Sequence, residues 1–426
     1  MSSATTTIDT RPTFFENGIT GGQYSVFRII FGTYLFAHFC ALISWGAELF
    51  SNTGMFAHGA NSPILKLFPN IFLINDSPAF VTTVMIAAVL LSALYAVGFK
   101  DRYAAIGLWW IWTSMIGRDP LINNPGLHYV GLILVIHALL PTAPYGSLDA
   151  RGKVDPGSKW YLPGPLFFVA WFLMAAGYTY SGYTKLVSPS WVSGTAFAKV
   201  LVNPLARPWF LDHFLLALPS GFLYAATWGA LCAEIAFTFL AFSRKLRPFA
   251  WLMLLLMHLG LISLINFADL SLGMVMLHLF TFDASWLPGK KKGQTDRLFY
   301  DGNCGLCHRA IRLLLAEDRV NAFVFSPLDS EVFTRELTDE QRKDLPDSMV
   351  VRTTNGAILI KSGAWLYILA RLGGWYRVLG FAVGLIPRSV SDGAYDFIAA
   401  RRKKVFGTKK DACPLMPPDF RKRFEF

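Results

Sequence analysis

Eight apolar runs fill the chain between Tyr24 and Pro288, and that concentration points towards a bilayer. A membrane-spanning helix needs about 20 mostly apolar residues. The runs Tyr24–Trp45, Ala79–Phe99, Tyr103–Gly117, Gly126–Leu140, Pro165–Tyr183, Gly221–Phe242, Pro248–Ile265 and Leu270–Trp286 reach or approach that length. The third and fourth are short, with room to tilt or shift by several residues. Trp160, Tyr161, Trp191, Trp209 and Trp286 fall where an interfacial aromatic belt belongs. The expected architecture is an α-helical polytopic membrane bundle of eight transmembrane helices.

Composition divides the chain. Charged residues make up 16% of it, against about 25% in a soluble domain. The deficit lies before Lys290, and the C-terminal remainder has the composition of an ordinary soluble domain. We therefore expect a transmembrane domain over 13–289, a basic linker over 290–295, and a small α/β domain with a basic tail over 296–426. The net charge of +11 does not argue for nucleic acid, because no basic-aromatic interleaving suggests a groove. The basic residues cluster instead at the ends of apolar runs, as cytoplasmic flanks do. A cytosolic N-terminus puts Arg11, Lys100, Arg102, Arg151, Lys153, Lys159, Arg244, Lys245, Arg247 and Lys290–Lys292 inside. Only Lys66, Arg118, Lys185, Lys199 and Arg207 then lie outside. The N-terminus is polar up to Asn17 and has no signal core, so the first apolar helix serves as its own insertion signal. The expected location is a bacterial-type plasma membrane, with the N-terminus and the C-terminal domain cytoplasmic.

Ionisable side chains in or beside the apolar runs are Arg28, His38, His128, Lys185, Glu234, His258, Asp269 and His278. Charge in hydrocarbon is costly, so such residues face a partner or a wet cavity. The plain alternative is a buried structural pair, for instance Arg28 with Glu234. Lys185 stands apart, at the end of the fifth run in Tyr180-Ser181-Gly182-Tyr183-Thr184-Lys185 and ahead of Ser190-Trp191-Val192-Ser193-Gly194. Burial disfavours an ammonium, which is what a general base requires; a lysine snorkelling to the headgroups is the competing reading.

Five cysteines (Cys40, Cys232, Cys304, Cys307 and Cys413) are too few and too scattered for a disulfide framework. One pair is close. Arg297-Leu298-Phe299-Tyr300 is β-prone, Asp301-Gly302-Asn303-Cys304-Gly305-Leu306-Cys307-His308 comes next, and Arg309–Asp318 is amphipathic. Strand, turn, CxxC and helix is the thioredoxin arrangement. Cys304 would open the helix, where unpaired N–H groups and the macrodipole favour a thiolate. Cys307, one turn on, would resolve a mixed disulfide, and His308 adds a positive neighbour. The remaining elements are a strand over Asn321–Ser326, a helix over Thr338–Asp344, a hairpin of Ser348–Arg352 and Ala357–Ile360 around Asn355-Gly356, and a helix over Ala364–Leu372. Leu345-Pro346 is a candidate cis-proline. Zinc is the rival reading. A structural site needs four ligands, and only His308 and Cys413 could join the pair, so redox chemistry is favoured.

The membrane half resembles the vitamin K-dependent gamma-carboxylase family, or HTTM domain. The resemblance rests on Tyr180–Gly194, on Asn123-Asn124 with His128, on Met257-His258, and on Leu272-Gly273-Met274 through Trp286-Leu287-Pro288. It implies a quinone or quinol in the membrane domain, Lys185 as the base that deprotonates it, and His128 and His258 as partners. Thr184 stands where those carboxylases have a second lysine, and the sequence holds no counterpart of their large extracytoplasmic domain. Glutamate carboxylation is therefore not expected.

The soluble half resembles the DCC family of thiol–disulfide oxidoreductases (DUF393). Matching residues are Asp301–Cys307, Phe325-Ser326-Pro327-Leu328-Asp329, Ser348-Met349-Val350-Val351, and Tyr395-Asp396-Phe397-Ile398-Ala399 through Arg401-Arg402 and Phe406-Gly407. The resemblance implies a thioredoxin-like fold and dithiol exchange by Cys304 and Cys307, with no metal or organic cofactor. The partner would be a disulfide or dithiol protein or a small thiol. Asp301, the family's signature acid, would shuttle the resolving proton or cap the turn. The expected function is a membrane-anchored thiol–disulfide oxidoreductase. The alternatives are a Lys185-based quinol- or oxygen-dependent membrane enzyme and a non-enzymatic redox sensor.

Overall fold

The computed structural model describes residues 17–141, 144–153, 160–266, 268–289, 295–343, 345–346, 348–407 and 418–426. Most of the basic linker, residues 290–294, and Cys413 lie outside the described residues. The chain divides into two compact units. One contains Phe27–Pro141 and Pro163–Phe282. The other contains Asn17–Val26, the described part of Thr142–Leu162, and Asp283–Phe426.

The first unit is helical. Its helices are α1 (Gly21–Phe50, whose opening residues belong to the second unit), α2 (Pro78–Val97), α3 (Asp101–Arg118), α4 (Pro125–Ala138) and α5 (Gly164–Lys185). Short α6 (Pro189–Val192), α7 (Ala196–Leu201) and α8 (Phe210–Leu216) lead to α9 (Ser220–Phe242), α10 (Arg247–Leu264) and α11 (Ala268–Thr281). Local chemistry sets several ends. Pro78 opens α2, where its missing N–H costs nothing, and Gly98 closes it in the left-handed region at φ +70°. The Asn124 side chain caps α4 by accepting from the Leu127 N–H at 3.3 Å.

All eight expected runs contain a helix, and among the described residues four of them, α1, α2, α9 and α10, are long and apolar enough to cross a membrane. Eight spans are not confirmed. At 14 residues each, α4 and α11 span about 21 Å, short of a hydrocarbon core of about 30 Å. The last run also stops at Thr281, because Asp283 caps a separate 3-10 turn over Ala284–Trp286.

Helices α4 and α11 meet backbone to backbone. A Cβ on Gly273 would lie 2.3 Å from the Gly126 carbonyl oxygen, so only glycine permits the approach. Buried indoles donate to main-chain carbonyls: Trp112 to Leu127 at 2.8 Å, Trp171 to Thr281 at 2.9 Å and Trp251 to His278 at 2.9 Å. Arg28 pairs with Asp101 at 3.7 Å, and Lys185 takes Glu234. The Arg28–Glu234 pair raised from sequence does not form.

The second unit holds a four-stranded sheet in the order β2-β1-β3-β4. Strand β1 (Asp296–Tyr300) runs into α12 (Gly305–Glu317) and returns as β2 (Phe323–Pro327), parallel to β1. Helices α13 (Glu331–Glu336) and α14 (Asp339–Lys343) precede the hairpin of β3 (Val350–Arg352) and β4 (Ile358–Ile360), and β3 pairs antiparallel with β1. The hairpin turns at Gly356, with φ +81°. Then come α15 (Lys361–Leu372), α16 (Gly374–Gly384), α17 (Arg388–Phe406) and α18 (Pro418–Arg421). The expected strands and hairpin stand within a few residues of their sequence positions. The described residues contain no cis peptide bond, so Leu345–Pro346 is trans.

Candidate functional site

Strand β1 buries Leu298, Phe299 and Tyr300 and delivers the chain into a tight turn. The Asp301 carbonyl accepts from the Cys304 N–H at 3.2 Å, and its side-chain Oδ1 accepts from the Asn303 N–H at 2.9 Å. That turn leaves Cys304 at the N-cap of α12, in extended backbone at φ −103° and ψ 119°. Cys307 lies one turn into the helix. Both cysteines are unpaired and buried in the unit's core, and their thiols hydrogen-bond to each other.

The two sulfurs differ. Burial pushes the Cys307 thiol up to about 12; the hydrogen bond with Cys304 and the charge on that neighbour add to the rise, against an opposing pull from Arg402 and the Asp301 N–H. Cys307 therefore keeps its proton at neutral pH. This is the state a resolving cysteine holds until its partner is engaged.

Asp301 is braced from helix α17. Its Oδ2 accepts from Arg402 Nη2 at 3.3 Å and lies 3.2 Å from Lys403 Nζ. Burial by itself would raise this carboxyl. The Asn303 N–H, Lys403 and Arg402 outweigh it and hold Asp301 below the usual carboxylate range. An acid held there is a weak proton acceptor, so its geometry favours bracing the turn over shuttling a proton. His308 Nε2 donates to the Gly302 carbonyl at 2.7 Å and further fixes the turn.

The end of α17 closes over the dithiol. The Gly305 N–H donates to the Gly407 carbonyl at 3.1 Å, and a Cβ at Gly305 would lie 2.4 Å from the Phe406 oxygen. Arg309 stacks on Phe406, its guanidinium carbon 5.1 Å from the ring centroid. Cys304 is 0% exposed and packs in the unit's core with Leu298, Tyr300 and Ile311. Tyr395 of α17 also faces the site and accepts from the Met349 N–H at 3.1 Å. Tyr395 and Arg402 belong to the stretch that carries the family resemblance, but their place beside the dithiol, and the contribution of Lys403, emerge only from the fold.

Among the described residues no cluster of three or more His, Cys, Asp or Glu is arranged to hold a metal ion.

The membrane-type unit has its own candidate site. A cavity of about 780 Å³ is lined by Tyr178, Ser181, Lys185, Trp191, Glu234 and His258 among mostly apolar side chains. Lys185 donates to Glu234 and, at 3.2 Å, to Ser181 Oγ, and its ammonium lies 4.5 Å from the Trp191 ring centroid. Glu234 is 3% exposed; removing one partner of a buried pair costs about 3–5 kcal/mol because the other charge is left unpaired, so truncating Lys185 would destabilise the fold as well as alter the cavity. His258 Nδ1 lies 3.3 Å from Ser271 Oγ, while its buried Nε2 has no hydrogen-bond partner among the described residues. Lys185 and His258 thus share one cavity. His128 does not line it; it lies instead on a neighbouring pocket of about 300 Å³ with Asn123 and Asn124. Glu234, placed among the ionisable residues but not in the site, is the partner that sequence could not assign.

A Bacillus subtilis protein, described as uncharacterized protein YuxK, is 37% identical over 133 residues, covering 30% of this chain and 91% of that protein. No solved structure matches the chain significantly. Residues 298–408, which carry the dithiol, its turn and the bracing helix, match the family model described as DCC1-like thiol-disulfide oxidoreductase. Through this segment the chain belongs to the DCC1-like thiol–disulfide oxidoreductase family.

Proposed function

We propose that the chain is a membrane-anchored oxidoreductase that exchanges disulfides through Cys304 and Cys307 on a thioredoxin-like scaffold. The observation that carries this reading is the pair of thiols bonded to each other at the head of α12, between two parallel strands. The Cys304 thiolate attacks one sulfur of a substrate disulfide. A mixed disulfide forms, and the first substrate thiol leaves and takes up a proton. Cys307 then gives up its proton and attacks Cys304 Sγ. This closes the Cys304–Cys307 disulfide and releases the second substrate thiol. Two electrons pass from the dithiol to the substrate, and an external dithiol restores the enzyme. The partner is a disulfide protein or a small thiol.

Full-length protein in detergent, supplied with a dithiol reductant, is expected to reduce insulin disulfides. Cys304→Ser should abolish the reaction, and Cys307→Ser should accumulate the mixed disulfide. Equal rates for the parent and Cys304→Ser would remove the proposal.

A second reading concerns the cavity at Lys185, and the resemblance to the HTTM domain supports it. The apolar walls and the unpartnered His258 Nε2 suit an apolar ring bearing a polar oxygen, such as a quinol. Bound there, a quinol would supply an acidic hydroxyl and two electrons. His258 Nε2 would orient the polar oxygen. Lys185 can take a proton only after passing its own to Glu234, so the two act as a pair. Lys185→Ala is expected to eliminate quinol-dependent oxygen uptake in proteoliposomes; uptake unchanged by the substitution would end this reading.

A further inference from the structure

Helices α16 and α17 each pack against α15, and the corner where one passes into the other is apolar and bare. Every residue from Phe381 to Val390 is exposed, with Phe381 at 71% and Leu385 at 72%. The stripe continues along α17 through Phe397, Ile398 and Val405, which return at helical spacing on one face and are all exposed. The adjoining face of α17 points inward, where Tyr395 meets Met349 and Arg402 meets Asp301. Scattered apolar residues on a surface mean little, whereas a contiguous stripe of this kind marks something that covers it.

Charge identifies the occupant. The two acidic residues of α17 are committed to α15: Asp392 accepts from the Ser362 N–H at 3.1 Å, and Asp396 pairs with Lys361 at 2.8 Å. Arg388, Lys404 and Arg401 are exposed along the apolar stripe, and the Arg401 guanidinium lies 3.7 Å from the Phe397 ring centroid. An apolar face flanked by basic residues is the pattern of a helix lying in a bilayer interface, with its cations on anionic headgroups. The same chain carries four helices long and apolar enough to cross a membrane, so a bilayer is at hand. A second copy fits less well, because pairing this face with itself would bring basic residues together, with both acidic residues of α17 already held by α15.

We propose that the α16–α17 corner docks on an anionic bilayer surface, seating Phe381, Leu385, Val390 and Phe397 at the headgroup boundary. The proposal stands apart from the thiol chemistry. Since α17 also carries Tyr395 and Arg402, docking would hold the covering helix of the dithiol at the membrane surface.

The test uses the full chain in nanodiscs of phosphatidylcholine, with or without phosphatidylglycerol. A fluorescent amino acid is placed at position 397, or at exposed position 340 as a control, and nitroxide-labelled lipid serves as the quencher. Position 397 should be quenched several-fold more than position 340 in the anionic discs, and the excess should shrink in high salt and in the Phe381→Asp, Leu385→Asp double variant. Equal quenching at the two positions would overturn the proposal. So would shielding of position 397 that tracks the number of protein copies per disc rather than the lipid, which would assign the face to a second copy.

Discussion

Cys307 is the residue at which the chemistry of the dithiol can be read most directly. Burial, with Cys304 bonded to it, raises this thiol to about 12. Below that value its thiolate fraction grows about tenfold per pH unit. In a Cys304 mixed disulfide the neighbouring thiol and its charge are gone but burial still disfavours the Cys307 thiolate, so resolution should accelerate from neutral pH into the alkaline range. Acid-quenched mass spectrometry of the full chain measures this, and a rate flat across the interval would refute the assignment of Cys307 as the resolving group. The sign for stability is opposite. A value raised by folding contributes stability that is complete below the ordinary thiol range and is lost as pH climbs towards the folded value. The spacing of the two cysteines was legible in sequence, because residues three apart on a helix share a face. Their brace was not. Arg402 lies 101 positions from Asp301, and no local pattern announces a contact made across the whole unit.

At the scale of elements, strands and hairpin could be read because alternation and the Asn355-Gly356 turn are local signals. Helices α16 and α17 escaped reading, since an exposed apolar stripe imitates neither a core helix nor a loop. Their end nevertheless lies against the site. Gly305 is the position at which α17 and the head of α12 come closest, and Gly305→Ala would place a methyl 2.4 Å from the Phe406 carbonyl. Backbone cannot give way there without lifting the strap. The substitution is therefore expected to speed alkylation of Cys304 by a maleimide in the native full-length protein, at some cost in thermal stability. Alkylation no faster than in the parent would mean that another part of the core guards the thiol. In the membrane-type unit the sequence located the long helices, and four of those described are long and apolar enough to span. Runs such as Gly126–Leu140 are apolar enough, but the helix within them lacks length.

For the whole molecule, the composition shift near residue 290 separates the apolar from the soluble half, but folding draws a different line. Asn17–Val26 and the described part of Thr142–Leu162 group with the sheet. The reason is a buried carboxylate. Glu317 ends α12 and accepts from the Thr20 hydroxyl and, at 2.9 Å, from the Gly22 N–H, where α1 begins. The helix that opens with the dithiol therefore closes by capping the first helix of the chain, a link that no sequence window contains. The redox assignment rests on one pair of sulfurs, and its most direct test is to equilibrate the full chain in detergent against graded ratios of reduced and oxidised glutathione, then alkylate, digest and map every cysteine. Cys304 and Cys307 are expected to oxidise together in a single two-electron transition to a disulfide joining them. Recovery of Cys304 as a stable glutathione adduct, or as a free thiol in every buffer, with no bond to Cys307, would contradict the assignment.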